Sequence, residues 1–253
     1  MFVNIGEKIV FRTLPKGNIY EAKVIDRKED NISIEHKKDF KVNFPMGQSF
    51  LIYSNGMDYY TEVIEANDKE IKFKYIGHEP KEFFRVEDAL PLIVKKVQVG
   101  VIKGRIITEY GLNIPDLIAY GEDVPDETIN PILWKMLINL NVKLGLLLDR
   151  VTLGSEGLTS ASYKNVELSA SGIRAIVDEE FNKDDKVEIK MLLPVSPPIG
   201  IVVYGIVVWS KKMEDGNYAV AISYAEIEEN VREELIQYTL KRQREILRKQ
   251  RGL

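Results

Sequence analysis

The stretch Glu167-Leu168-Ser169-Ala170-Ser171-Gly172-Ile173 decides how the second half of this chain folds. It reads as the junction of two β-strands, because small residues and a glycine between apolar residues are typical of a turn. Within Val187–Met191, polar and apolar residues alternate, as in a half-buried strand. This half of the chain is therefore predicted to be rich in β-structure. Its predicted strands are Val166–Leu168, Gly172–Val177, Lys186–Leu193, Ile201–Ser210 and Asn217–Ser223.

The first 76 residues predict a separate β-rich unit. Six short runs mix β-branched and aromatic residues with polar ones, and each is bounded by Gly, Asn or Asp. The segments Pro15–Asn18, Ser54–Gly56 and Ala66–Asp68 have the composition of turns. Six short strands in this length indicate a small antiparallel barrel. The runs are Lys8–Arg12, Asn18–Arg27, Asn31–Glu35, Gln48–Ser54, Asp58–Ala66 and Lys69–Tyr75.

A break in this pattern separates the two units. Gly77 and Pro80 lie close together, which favours a linker, and a further strand is predicted at Ala89–Val99. The fold class is therefore mainly β, with two small barrels. We expect a barrel at residues 1–76, a linker at 77–84, and a second barrel at 85–253 with a helical insertion at about 112–160 and a C-terminal helix at about 227–250.

The insertion contains a helix with a heptad pattern. Asn130 is a good helix cap, and Pro131 suits the first helical position. The apolar residues that follow are spaced alternately by four and three, and we call them the heptad seam: Leu133, Leu137, Leu140, Leu144, Leu147 and Val151. The seam has two interpretations, packing within its own chain, including against the terminal helix, or self-association. We expect self-association, most simply a homodimer.

The composition excludes several kinds of site. The 253 residues include no Cys and only two His, His36 and His78, so disulfides, thiolate metal sites and a zinc site are not expected. Neither a Gly-x-Ser-x-Gly elbow nor a Gly-x-x-x-x-Gly-Lys-Ser/Thr loop occurs. The sequence therefore predicts that the protein is not an enzyme and holds no cofactor or metal.

Charge and hydropathy bear on location and partners. No apolar run approaches 18 residues and no secretory signal is visible, so no transmembrane segment is expected and the cytoplasm is the default location. The net charge is −4, residues 241–253 are basic, and residues 79–240 are acidic. An acidic middle argues against binding of duplex nucleic acid, which needs a broad basic face.

Two short motifs together indicate a family. Lys81-Glu82-Phe83-Phe84-Arg85 follows the linker, and Glu167, Ser169 and Gly172 lie in the turn quoted above. This combination resembles the PilZ family of cyclic di-GMP receptors, whose pattern is Arg-x-x-x-Arg followed by Asp/Asn-x-Ser-x-x-Gly. The small barrel at residues 1–76 and the basic terminal helix are similar to those of flagellar-brake proteins of this family.

The resemblance implies a fold, a ligand and a role. It implies an N-terminal split barrel, a PilZ-type barrel, and cyclic di-GMP bound by Lys81, Arg85, Glu167, Ser169 and Gly172. It also implies signal transduction to a protein partner, such as the flagellar motor, that controls bacterial motility or a surface process. The sequence departs from the family pattern at Lys81, which lacks the planar fork of arginine, and at Glu167, which is one methylene longer.

Two alternatives remain open at this point. One is a degenerate PilZ-fold adaptor that does not bind the nucleotide and acts through protein–protein contacts. The other is a protein that binds single-stranded nucleic acid, because small barrels with exposed aromatic residues do this. Residues 1–78 carry equal numbers of acidic and basic side chains, which disfavours the second alternative.

Overall fold

The chain folds into two closed β-barrels joined side by side. A computed structural model describes residues 3–14, 18–28, 30–35, 44–67, 69–80, 85–98, 103–108, 110, 119, 130–225 and 227–250. The predicted fold class, mainly β with two barrels, an inserted helix and a C-terminal helix, is confirmed. Lys81 and the predicted turn at Pro15 lie outside the described residues.

The first barrel has six antiparallel strands in the order β1-β2-β3-β6-β5-β4, closed by pairing of β4 with β1. Its core is aromatic: the Phe50 ring centre lies 5.7 Å from Phe11 and 5.3 Å from Phe73. Asn55 and Gly56 both have positive φ, so the predicted Ser54–Gly56 turn is a tight hairpin. The strands are β1 Lys8–Thr13, β2 Ile19–Lys28, β3 Asn31–Glu35, β4 Ser49–Ser54, β5 Met57–Ala66 and β6 Glu70–Pro80.

The second barrel is a ring of six strands, β11-β7-β9-β10-β13-β12, closed by pairing of β11 with β12. A short seventh strand, β8, pairs with the outer side of β12. The strands are β7 Val86–Lys96, β8 Arg105–Ile106, β9 Tyr163–Leu168, β10 Gly172–Val177, β11 Lys186–Leu193, β12 Ile199–Lys212 and β13 Tyr218–Tyr224. The terminal helix α2, Glu229–Gln250, packs Val231, Leu235 and Tyr238 into this barrel's core.

Two of the differences between the observed and the predicted strands are explained by strand pairing. β6 continues to Pro80, past the predicted break, because Gly77 pairs with Tyr60 after a bulge at Ile76 in β6. Arg105 and Ile106 also form a strand, because they pair with β12, although no strand was predicted there. In both cases a neighbouring strand, which the local sequence does not reveal, supplies the hydrogen bonds.

The two barrels share a small apolar junction. The Tyr60 ring stacks on Trp209 with ring centres 5.7 Å apart, and Leu14, Leu51 and Ala221 complete the cluster. The barrels also approach closely at Gly77, where a Cβ atom would lie 2.7 Å from the Val208 carbonyl oxygen. Lys211 adds a polar contact across the junction, because its ammonium donates to the Gly47 carbonyl at 2.5 Å.

The inserted helix α1, Pro131–Ser155, begins as predicted: Asn130 Oδ1 accepts from Ile132 N at 2.9 Å. One face packs on its own chain, since Leu153 is buried with Ile107, Val202 and Tyr204. The heptad seam lies on another face, and its six side chains each expose 50–68% of their surface. Packing of the seam against α2, one of the two interpretations of the sequence, is therefore not found.

Helix α1 is also the one described helix with the length and apolar composition needed to cross a membrane. The buried Asp149 carboxylate in its second half accepts from Tyr110 N at 3.3 Å, and Lys143 is exposed nearby. The end of the helix is fixed to the second barrel, because Glu156 pairs with Arg105 at 2.7 Å and with Lys190 at 2.6 Å. These attachments join the C-terminal end of α1 to the second barrel, whereas most of the helix is exposed.

Candidate functional site

The predicted motif residues Ser169 and Gly172 form the turn between β9 and β10. Ser169 is fully buried, and its Oγ accepts from the backbone N–H groups of Ser171 and Gly172 at 3.3 and 3.2 Å. The same hydroxyl donates to the Gly172 carbonyl at 3.1 Å. Gly172 then begins β10 and pairs with Ser223 of β13. In this structure the two residues fix the end of β9, and with it the position of Glu167.

Five charged side chains alternate in sign across the junction of the barrels, and we call them the charged chain. Arg12 Nη2 and Arg174 Nη1 both donate to Glu167 Oε2, at 2.5 and 2.8 Å. Arg174 Nη2 then donates to Asp58 Oδ2, and Arg85 Nε lies 3.6 Å from that oxygen. Arg12 and Asp58 belong to the first barrel, and Glu167 and Arg174 to the second. The charged chain therefore joins the barrels twice.

Glu167 is ionised within the charged chain. Burial alone would raise the pKa of its carboxyl, but the guanidinium groups of Arg174 and Arg12 outweigh burial and hold the pKa below its ordinary value. With three guanidinium groups and two carboxylates, the charged chain carries a net charge of about +1. This excess of positive charge favours an anionic ligand beside it.

Arg174 is the central member of the charged chain and is buried, with only 7% of its surface exposed. Its Nε donates to the Tyr60 hydroxyl oxygen at 2.6 Å, and its guanidinium lies 5.5 Å from the centre of the Tyr60 ring. Together with the contacts to Glu167 and Asp58, this gives Arg174 three acceptors. Arg174 thus holds the carboxylates in place and has little freedom to turn toward a ligand.

A cavity of about 450 Å³ opens on the outer surface of the second barrel beside the charged chain. Glu167 and Arg174 line it, together with Trp209 and, from the first barrel, Leu14. The volume falls in the range of small-molecule sites, and apolar walls with a few convergent charges are typical of such sites. Both barrels thus contribute to one cavity.

Helix α2 forms another wall of this cavity through Arg242. Arg242 Nη2 donates to Asp88 Oδ1 at 2.9 Å, and the Tyr238 hydroxyl donates to the same carboxylate. Burial, and then the hydrogen bond to Asp88, raises the pKa of the Tyr238 phenol, which therefore stays protonated. The basic part of α2 is in this way held against β7 at the cavity.

The structure brings four of the five predicted site residues to the charged chain or next to it. Arg85 and Glu167 both lie in the charged chain, linked through Asp58 and Arg174. Ser169 and Gly172 adjoin it through the β9–β10 turn, whereas Lys81 lies outside the described residues. Among the described residues, no group of three or more His, Asp or Glu side chains is placed to bind a metal ion.

Sequence reasoning missed three members of the charged chain. Arg174 follows the glycine of the turn by two residues, so the β10 pattern placed it near the site without giving it a role. Arg12 and Asp58 are 155 and 116 residues from the partners they contact in the second barrel. No local pattern indicates such contacts, because they depend on how the two barrels dock.

A comparison with family models matches residues 151–241 to the PilZ domain. No curated protein sequence matches the chain significantly. Among solved structures, the Bacillus subtilis inhibitor of motility (MotI/DgrA) is 12% identical, with a TM-score of 0.38 and coverage of 95% of this chain and 98% of that one.

Two further solved structures are similar at comparable levels. YcgR from Escherichia coli, in complex with c-di-GMP, is 9% identical over 96% of this chain and 88% of its own, with a TM-score of 0.36. A tetrameric PilZ domain from Xanthomonas campestris, self-assembled through a helical bundle, is 15% identical over 67% of this chain and 93% of its own, with a TM-score of 0.46. The family match covers β9 to β13 and the first part of α2. The chain therefore contains a region, residues 151–241 in the second barrel and the first part of α2, that is similar to the PilZ domain.

Proposed function

We propose that this protein is a cytoplasmic receptor for cyclic di-GMP that relays the level of this second messenger to a protein partner. The observation that carries the proposal is that Arg85 and Glu167 lie in one charged chain, linked through Asp58 and Arg174, beside a cavity of about 450 Å³. These residues come from two motifs more than 80 positions apart in the sequence. The match of residues 151–241 to the PilZ domain supports the same ligand.

The chemistry of the ligand suits the charged chain. Cyclic di-GMP carries two phosphodiester anions, which need cationic donors, and two guanines that present O6 and N7 on one edge. An arginine fork grips that edge through two hydrogen bonds. A carboxylate such as Glu167 accepts from the N–H groups of guanine. The net positive charge and the mixture of donors and acceptors are what such a ligand requires.

We expect ligand binding to change how the two barrels are positioned relative to each other. Residues 81–85 follow β6 and lead into β7, so they connect the barrels, and Lys81 and Arg85 lie in this connection. A ligand held by these cations and by Glu167 clamps the connection onto the second barrel. We expect the barrels to adopt two relative arrangements, in which the ligand makes different contacts. Ligand binding then shifts the population toward the arrangement that it contacts better. We propose that the protein partner, with the flagellar motor as the first candidate, reads this shift.

Titration calorimetry with cyclic di-GMP tests this proposal. The wild type should bind, and Arg85→Ala should bind more weakly by about 1.5–3 kcal/mol, because a charge-assisted contact is lost. Lys72→Ala removes an exposed cation that pairs with Glu65 on the first barrel, and it should bind as the wild type does. Equal affinities for wild type and Arg85→Ala would place the ligand elsewhere. If cyclic di-GMP gives no heat with the wild type and does not raise its melting temperature, the non-binding adaptor is favoured.

We further propose that the receptor is a homo-oligomer, most simply a dimer, joined through the heptad seam of α1. Six seam residues at alternating spacings of four and three are each at least half exposed. Leu146, Leu148 and Met136, also exposed, widen the face. An apolar face of this extent on a soluble protein marks an interface, and the heptad period suits a second copy of the same helix.

A further inference from the structure

We propose that Arg12, on the first barrel, is a phosphate-binding residue of the nucleotide site. On binding, Arg12 leaves Glu167 for a phosphodiester of the ligand, and Glu167 turns to the N–H groups of a guanine. This inference rests on the proposed function. It assigns to the first barrel a direct part in binding that neither sequence motif indicates.

The first support is that Glu167 pairs with two arginines, and Arg174 has more hydrogen-bond acceptors than Arg12. Arg174 is fixed by three acceptors, and its side chain is 8% exposed. The Arg12 side chain is 22% exposed, and within the described part of the chain its guanidinium contacts one acceptor, Glu167. If a ligand donates to Glu167, Arg12 is the partner that can leave at the lower cost.

The second support is the order of charges. The charged chain has guanidinium groups at both ends, Arg12 and Arg85, and each end group adjoins one carboxylate of the chain. The central Arg174 is shared by both carboxylates. At each end of the charged chain, a guanidinium therefore shares its carboxylate with the central Arg174. A ligand with two phosphodiesters provides one anion for each end group.

The third support is the direction in which β1 presents its side chains. Ile9 and Phe11 are buried in the first barrel, and Arg12 alternates with them, so it lies on the outer face. Leu14, two residues further, points to the same side and lines the cavity beside Glu167. The extended backbone continues between them, since Leu14 N donates to the Ser49 carbonyl at 3.0 Å. Arg12 is thus next to the cavity before any movement.

The exchange keeps every charged group paired. Arg12 exchanges a carboxylate for a phosphodiester, and Glu167 retains Arg174 while it gains neutral N–H donors from guanine. Charge-assisted hydrogen bonds to both ligand groups replace one part-buried ion pair. The same step replaces one of the two direct connections that the charged chain makes between the barrels with a connection that runs through the ligand. Ligand binding and the contact between the barrels are in this way coupled at a single side chain.

Titration calorimetry at one fixed salt concentration tests this role with wild type, Arg12→Ala, Arg12→Lys and the control Lys72→Ala. We expect Arg12→Ala to bind cyclic di-GMP about 10- to 100-fold more weakly, from the loss of a charge-assisted contact. Arg12→Lys, which keeps the charge, should recover most of the affinity, and Lys72→Ala should equal the wild type. The ligand-induced rise in each variant's own melting temperature separates binding from folding.

The outcomes distinguish the inference from the proposed function. If the wild type binds and Arg12→Ala binds equally well or more tightly, Arg12 only competes with the ligand for Glu167, and this inference is overturned alone. If Arg12→Lys is as weak as Arg12→Ala, a charge at this position is not what the ligand uses, which also overturns it. If the wild type does not bind, both the proposed function and the inference fail.

Discussion

Replacement of Leu140 by glutamate at the centre of the heptad seam tests the oligomer through one exposed side chain. Leu140 exposes 60% of its surface. Full burial of a leucine contributes about 1.5–3 kcal/mol, so burial of this exposed part against a second copy contributes about 1–2 kcal/mol per protomer. A dimer contains two such residues, so the variant loses about 2–4 kcal/mol, which weakens dimerisation about 30- to 1000-fold.

Light scattering across a range of protein concentrations measures this effect. The wild type should have the mass of a dimer or a larger assembly, and Leu140→Glu should be a monomer at the same concentration. Its melting temperature should change little, because the residue has no buried contact to lose in its own chain. Asn139→Glu, an exposed neighbour off the seam, introduces the same charge and should leave the mass unchanged.

Three results would contradict self-association through the seam. A wild type that is monomeric at high concentration would show that the seam does not bind a second copy. A monomeric wild type that sediments with lipid vesicles would show that the apolar face of α1 binds a membrane instead. A large fall in the melting temperature of Leu140→Glu without a change in mass would mean that the seam packs within its own chain.

Three further predictions concern the site and the junction. Lys81→Arg should bind cyclic di-GMP more tightly than the wild type in calorimetry, because the planar fork is restored; equal or weaker binding would show that Lys81 does not occupy the family position. Gly77→Ala should lower the free energy of unfolding by about 1–3 kcal/mol in a denaturant titration, since its Cβ would lie 2.7 Å from the Val208 carbonyl oxygen; an unchanged value would mean that the barrels separate there without cost. Because the pKa of Glu167 is lowered in the folded protein, its ionised carboxylate stabilises the fold at pH values above the unfolded-state pKa of about 4.3. This stabilisation is lost as the pH falls through the lower folded-state pKa. Glu167→Gln should therefore lose less stability than the wild type between pH 5 and about pH 3 in calorimetric melts.

Local sequence patterns were sufficient for most of the secondary structure. Gly172–Val177 and Lys186–Leu193 were predicted with the bounds that the structure shows, because alternation and turn residues act within a few positions. Asn130 and Pro131 likewise start α1 where a cap and a proline favour it. β8 and the end of β6 were missed, since their hydrogen bonds come from strands that are distant in sequence or follow a bulge.

The site was only partly predictable, for a related reason. The motif identified Glu167 and Arg85, but their partners Arg12 and Asp58 come from the first barrel and meet them only when the barrels dock. Ser169 was predicted as a ligand contact, and its hydroxyl is engaged within its own turn in this structure. A motif residue thus shapes the backbone that presents Glu167, and a ligand role for it stays a prediction.

The central claim is that cyclic di-GMP binds to this protein at the junction of its barrels. A binding isotherm of the purified full chain with cyclic di-GMP, with cyclic di-AMP as the matched control, tests it most directly. We expect saturable binding of cyclic di-GMP and much weaker binding of cyclic di-AMP, because Glu167 and the arginine forks match the donors and acceptors of guanine. Equal binding of both dinucleotides would contradict guanine recognition, and no heat or change in melting temperature at saturating cyclic di-GMP would contradict the receptor itself.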